Sequence, residues 1–221
     1  MDKAPFNIDE ALSQIANAVE PFPKAAMFEL AEQGYRSPFE QLVACMLSIR
    51  TRDEVSVIAA PRLFAVARTV DELASLPVVE ISELIRDVTF GPRKAGQIQE
   101  IARQVRDDYG GELPCDDDML QSLPGIGPKC SHLVLGIACG QSRISVDVHV
   151  DRVTNRWGYV RANSPERTMV ALESTLPERH HVEINRLLVP FGKHICTGVR
   201  PKCSTCPVLD MCQQVGVSSH R

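Results

Sequence analysis

LPGIGPK, residues 123–129, decides how the rest of the chain is read. Pro124 cannot continue a helix, glycines follow at two alternate positions, and Pro128 suits only a first helical turn. The longer stretch DDDMLQSLPGIGPKCSHLVLGIACG (116–140) therefore predicts helix, tight turn, helix. Gly125 and Gly127 permit positive φ or a close approach to the backbone, and Gly140 suits the end of the second helix. Such a turn aims backbone N–H groups outward beside a helix N-terminus, a setting that holds an anion such as phosphate. An ordinary hairpin that only packs two helices has the same glycines and prolines.

Neither version accounts for Lys129. A cation at the positive end of a helix dipole is mildly unfavourable. That field, with partial desolvation, favours the neutral amine, which attacks carbon electrophiles to form a Schiff base. A solvated lysine contacting phosphate is the plain alternative. Eighteen residues further on comes SVDVHVDRVTNRWG (145–158), where Asp147 is either the N-cap of a following helix or a carboxylate opposing cationic charge. His149 reads as a structural hydrogen-bonder, with no partner for catalysis in view.

Outward from the hairpin the pattern is helix after helix. SPFEQLVACMLS carries Ser37 as N-cap, Pro38 at the first helical position and Glu40 closing a capping box. NIDEALSQIANAV starts on Asn7 with Glu10 three residues on, and SPERTMVALESTL opens similarly at Ser164, with Glu166 one place short of the box. In KAGQIQEIARQVRDDYGG, Ile98, Ile101 and Val105 keep helical spacing and Gly110 offers a stop. RISVDVHV alternates only briefly and reads as the lead-in to a helix. The fold class expected is all-α.

Apolar residues make up 44% of the 221, enough to bury a core. No window approaches a membrane span, and MDKAPFNIDEAL lacks the basic and apolar regions of a secretion signal, so a cytoplasmic protein is expected, not a secreted one. In that setting the eight cysteines read as thiols or metal ligands rather than a disulfide framework, with Cys45 and Cys139 as small buried hydrophobes. The net charge of −4 hides an asymmetry: residues 1–118 carry −9 and residues 119–221 carry +5. A phosphate-facing surface built by the C-terminal half is compatible with that split. The last 26 residues hold Cys196, Cys203, Cys206 and Cys212, spaced C-x6-C-x2-C-x5-C. Four thiolates in one short loop suit tetrahedral zinc or a four-iron cluster, and the single tight knuckle favours the cluster.

Together LPGIGPK, VDVHVDR (146–152), the cysteine run and SPFEQLVACMLSIRTRD (37–53) resemble the endonuclease III family of helix-hairpin-helix DNA glycosylases, in order and in spacing over residues 37 to 212. The resemblance implies a two-domain all-α fold with DNA in the cleft between domains. A six-helix barrel would span about 31–142, with the hairpin at about 116–140. An iron–sulfur domain would combine residues 1–30 with 143–221. It implies Lys129 as nucleophile, Asp147 as its assisting carboxylate, and a structural [4Fe-4S] cluster on the four cysteines. Double-stranded DNA with oxidised pyrimidines or abasic sites would be the partner, bound by a monomer and with the damaged nucleotide flipped out. DNA contacts are expected from Gly125, Gly127, Lys193, Arg200 and Lys202. A related adenine glycosylase shares hairpin and cluster but typically lacks the lysine and carries a further C-terminal domain, so Lys129 and the early end of this sequence count against that expectation. A non-catalytic DNA-binding homologue, or one restricted to abasic sites, is the other alternative.

Two departures stand out. Arg50 replaces the glutamine whose amide, in the family, fills the gap left by the flipped base; its charge and fork would change opposite-base preference. The loop that supplies the family's apolar wedge reads here as FGPRKA (90–95), looks shorter, and has no evident wedge. Pro128 and Cys130 also stand where the family often has arginine and threonine.

Overall fold

The computed structural model describes residues 3–221, and its regular elements are all helical among them. In chain order they are α1 (Ile8–Val19), α2 (Ala26–Glu32), α3 (Pro38–Ser48), α4 (Asp53–Phe64), α5 (Val70–Ser75), α6 (Val78–Leu84), α7 (Gly91–Tyr109), α8 (Asp117–Ser122), α9 (Pro128–Ala138), α10 (Val148–Trp157), α11 (Pro165–Thr175) and α12 (Glu183–His194). The chain forms two compact units, one from Ala26 to Arg143 and one joining the chain up to Ala25 with Ile144–Arg221. No helix among the described residues is long and apolar enough to cross a membrane. Met1 and Asp2, the start of the segment read for a secretion signal, lie outside the described residues.

The first unit is built round α3. Its capping box forms as the sequence indicates: the Glu40 N–H donates to the Ser37 hydroxyl, and the Ser37 N–H donates back to the Glu40 carboxylate. From Phe39 to Met46 and on to Leu47 every side chain is buried, so α3 is enclosed on all sides by α2, α4, α7 and α9. Burying side chains such as Leu42 and Leu47 is worth roughly 1.5–3 kcal/mol each. Long α7 lies along α5 and α6 and ends where Gly110 turns left-handed, as its sequence foretells.

The second unit packs α12 against α1 and α10. Its core holds Ile15, Val153, Trp157, Leu188 and Phe191, and Val208 and Met211 of the C-terminal loop join it. Phe6 packs against Trp157 in a tilted arrangement with ring centroids 5.1 Å apart, which ties the N-terminal segment to α10. Asn7 caps α1 through two N–H groups, those of Asp9 and Glu10. The brief alternation at RISVDVHV is an extended lead into α10.

Candidate functional site: the hairpin, the Arg50 turn and the cysteine loop

In the hairpin, α8 stops at Ser122 and α9 starts at Pro128, as the prolines require. Of the two glycines, only Gly125 needs its lack of a Cβ for conformation: its φ is +85°. Gly127 has ordinary extended backbone at φ −121°, and a Cβ there would meet nothing within 4 Å. No side chain caps α9, so its first N–H groups stay directed at whatever approaches the turn. Lys129 sits in that first turn and is exposed.

The hairpin is held by its flanks. Asp117 accepts hydrogen bonds from Ser131 (2.5 Å) and Gln121 (2.8 Å), and His132 lies 3.3 Å from its second oxygen. Burial works to raise the Asp117 carboxyl, but the hydrogen bonds from Ser131 and Gln121 and the charge of His132 together hold it below its usual range. Cys115 and Cys139, read from sequence as thiols, form a disulfide with Cα atoms 5.9 Å apart. The chain reversal brings Cys115, two residues before α8, beside the end of α9, so Cys139 is a cross-link and not a small buried hydrophobe. Cys45 and Cys130 are buried thiols in contact. The Cys130 hydrogen bond is the largest influence holding Cys45 below the usual thiol range, helped by the charges of Lys129 and Lys94 against burial.

Beside Gly125 opens a cavity of about 270 Å³ lined by Arg50, Phe90, Arg93, Lys94 and Gln97 among others. Arg50 and Phe90 both have left-handed backbone, at φ 54° and 61°. Phe90 is 57% exposed at this cavity, so the segment does present a large apolar side chain where none was evident from sequence. FGPRKA is also not a short loop: from Gly91 onward it is the first turn of α7, with Pro92 in the place a helix start favours. The clue was Phe immediately before Gly-Pro, an apolar residue stranded at a helix start. Lys94 is the other residue missed. Its ammonium is buried and donates to the carbonyls of Leu47 (3.0 Å) and Ile49 (2.7 Å) and to the Thr51 hydroxyl (3.3 Å). Burial pulls it down to about 8, with the charge of Cys45 opposing.

In the second unit Asp147 is the N-cap of α10: its Oδ1 accepts from the N–H groups of His149 and Val150, both at 2.9 Å. Cap and functional carboxylate are compatible, since the cap uses one oxygen. His149 has the structural place foreseen for it, 3.0 Å from Arg152 and packed on Gly192. Two arginines one turn apart on α10 grip the start of the cysteine loop. Arg152 donates to the Cys196 carbonyl (3.2 Å), while Arg156 donates to the carbonyls of Thr197 (2.7 Å) and Gly198 (2.8 Å).

Cys196, Cys203, Cys206 and Cys212 all line one small hollow, floored by Trp157, Phe191 and Ile195. Among the described residues no three side chains close round a single metal ion, but four sulfurs on a shared hollow fit a larger inorganic cluster. Burial pushes the Cys206 thiol up to about 12 and raises Cys212, so only a cationic group would hold these sulfurs as thiolates. N–H donors already point at two of them, from Arg156 to Cys196 (3.5 Å) and from Gln214 to Cys212 (3.4 Å). The donor set therefore fits an iron–sulfur cluster. Of the basic residues expected at DNA, Arg200 and Lys202 are exposed on this loop and Lys193 is half-buried in the last turn of α12.

An all-helical chain whose glycine turn delivers an exposed lysine, followed later in the sequence by a four-cysteine loop, defines the class of helix-hairpin-helix base excision repair proteins. Residues 43–178 match the HhH-GPD superfamily of base excision DNA repair proteins. The chain belongs to the endonuclease III family within it: it is 38% identical to Endonuclease III of Thermotoga maritima over 176 residues, 80% of this chain and 83% of that one. It is 42% identical over 183 residues to the chloroplastic Endonuclease III homolog 1 of Arabidopsis thaliana, of which it spans about half (48%). A solved non-covalent complex of Endonuclease III with DNA superposes with a TM-score of 0.81 at 31% identity, covering 94% of each chain. A trapped covalent Endonuclease III–DNA intermediate with an estranged adenine is equally similar.

Proposed function

We propose that this chain is a bifunctional DNA glycosylase and abasic-site lyase, acting on duplex DNA with oxidised pyrimidines or abasic sites, as a monomer. The observation that carries the reading is Lys129, exposed in the uncapped first turn of α9 directly after the left-handed Gly125 turn. The open N–H groups of the turn hold a DNA phosphate, and the open space over Gly127 lets the backbone come close to it. The lysine amine attacks C1′ of the flipped nucleotide. The C1′–base bond breaks, the base departs with a proton, and ring opening leaves an imine between lysine and sugar. Loss of the C2′ proton then expels the 3′ phosphate and cuts the strand. Asp147 takes the proton from Lys129 or steadies the cationic sugar.

Arg50 and Phe90 serve the duplex that the flipped nucleotide leaves behind. Phe90 presses into the stack as the apolar wedge, and Arg50 fills the gap and donates to the orphaned base. Arg200, Lys202 and Lys193 meet phosphates. Cys196, Cys203, Cys206 and Cys212 would hold a [4Fe-4S] cluster, which supplies no step of the reaction and gives the loop its shape.

The test is covalent trapping. The protein is incubated with duplex containing thymine glycol or an abasic site in the presence of borohydride, which reduces the imine to a stable adduct. An adduct is expected with wild type and not with Lys129→Ala. No adduct on either DNA, or one that survives Lys129→Ala, refutes the assignment. Release of base without an adduct would mark a monofunctional glycosylase instead.

A further inference from the structure

Lys94 has no part in that chemistry, yet its ammonium is among the most enclosed charges in the first unit, with 5% of the residue exposed. A lysine is seldom buried without a task for its charge. Here the charge meets the C-terminal end of α3, where the carbonyls of Leu47 and Ile49 have run out of helical partners and the dipole is negative. Its third acceptor is the hydroxyl of Thr51. The ammonium therefore grips the chain on both sides of Arg50, at Ile49 before it and at Thr51 after it. Arg50 itself has φ 54°, a region that disfavours any residue with a Cβ and persists only where neighbours enforce it.

The grip extends further. The Thr51 hydroxyl oxygen also accepts the Thr89 N–H at 3.2 Å. Thr89 immediately precedes Phe90, the other left-handed residue at the cavity. One buried cation and one hydroxyl thus brace from behind both side chains that face the cavity from strained backbone.

We propose that Lys94 is a positioning residue for opposite-base recognition: it fixes the Ile49–Thr51 turn so that Arg50 is presented at one angle to the orphaned base. This rests on the reading of Arg50 as the residue that meets that base. An apolar side chain of equal length would strip the Leu47 carbonyl of its lysine donor and leave the Ile49 carbonyl with only the Thr51 hydroxyl at 3.4 Å, letting the turn relax toward ordinary backbone and swinging Arg50 off its target.

The experiment uses duplexes with a tetrahydrofuran abasic-site analogue opposite A, C, G or T, which bind without reacting. Dissociation constants are measured for wild type, Arg50→Ala, Lys94→Met and the double variant. General loss of stability scales all four constants together and leaves their ratios untouched, so the spread between tightest and weakest is the quantity read. Lys94→Met is expected to compress that spread about fivefold, the lower end of what one bidentate base contact discriminates. In the Arg50→Ala background it is expected to change nothing further. A wild-type spread in Lys94→Met, or equal compression with and without Arg50, overturns the role of Lys94 while leaving that of Arg50 intact. If Arg50→Ala alone keeps the wild-type spread, the reading of Arg50 falls and that of Lys94 with it. Should Lys94→Met fail to fold, Thr51→Val removes the hydroxyl that Lys94 and Thr89 share. It is expected to narrow the spread in the same Arg50-dependent way, and a wild-type spread there overturns the proposal.

Discussion

Reducing the Cys115–Cys139 disulfide is the perturbation whose size follows most directly from the fold. The bridge joins residues 24 apart and encloses all of α8, the glycine turn, Lys129 and α9. Closing a loop of that length restricts the unfolded chain by about 3.4 kcal/mol at 25 °C in the chain-entropy account. The unit from Ala26 to Arg143 has 118 residues, and an unfolding entropy of roughly 2.1 cal/mol/K per residue makes each kcal/mol worth about 4 °C. Reduction should therefore lower the melting temperature of this unit by up to ~14 °C. The folded hairpin keeps its other ties, Asp117 to Ser131 and Gln141 to the Cys115 carbonyl (2.9 Å), so native helix content at 25 °C should persist. Calorimetry with and without a dithiol reductant reads the shift. The paired Cys115→Ser and Cys139→Ser variant should match the reduced protein and ignore the reductant, which separates this bridge from effects at the four C-terminal cysteines. A reduced protein that melts within ~2 °C of the oxidised one would refute the reasoning, since the loop would then cost the unfolded chain nothing.

Three further outcomes follow from single contacts. Gly125→Ala forces a Cβ into φ +85° and against the Gln97 amide, which can move aside, so the conformational cost dominates. About 1–2 kcal/mol of stability should be lost, with weaker binding to undamaged duplex at fixed salt, whereas Gly127→Ala should melt as wild type does. Gly192→Ala would place a Cβ 2.7 Å from His149 Nδ1 and 2.9 Å from its Cβ, where α12 meets α10. Neither helix can give freely, and chemical denaturation should show a loss of roughly 1–3 kcal/mol. Asp117 has a folded pKa held below its ordinary 3.8, so its stabilisation is full above that value and is lost as pH falls through the folded one. Asp117→Asn should be less stable near neutrality and should flatten the acid limb of the stability–pH curve; an unchanged limb would show that the carboxylate contributes nothing there.

What could be read from the chain alone was what a few adjacent residues determine. Ser37 with Glu40, Asn7, Pro128 and Gly110 each act on backbone groups within one turn, so their helix ends lie where local chemistry puts them. The family motifs were legible for the same reason. Gly125 and Gly127 show the limit, because a glycine letter does not distinguish conformational need (φ +85°) from open space beside extended backbone (φ −121°). Cys115 meets Cys139 only after the hairpin has closed, and compartment arguments pointed the other way. Phe90 and Arg50 are left-handed without being glycine, which no propensity anticipates, because the surrounding packing enforces it.

Lys94 is the instructive miss, since its signal was present. The stripe Ile98, Ile101, Val105 extends back by four residues to position 94, which places this lysine on the buried face of α7. A charge on the core face of an amphipathic helix is an inconsistency between pattern and residue, and such inconsistencies concentrate where a site must be held against its local preference. The two left-handed residues and the misplaced lysine are then one feature. The backbone at Arg50 and Phe90 is unfavourable alone, and the buried ammonium of Lys94, bonded to Ile49, Leu47 and Thr51, is the compensating contact. Replacing Arg50 with the family's glutamine would leave this brace intact, so the opposite-base preference should change through the side chain's donors and not through the turn.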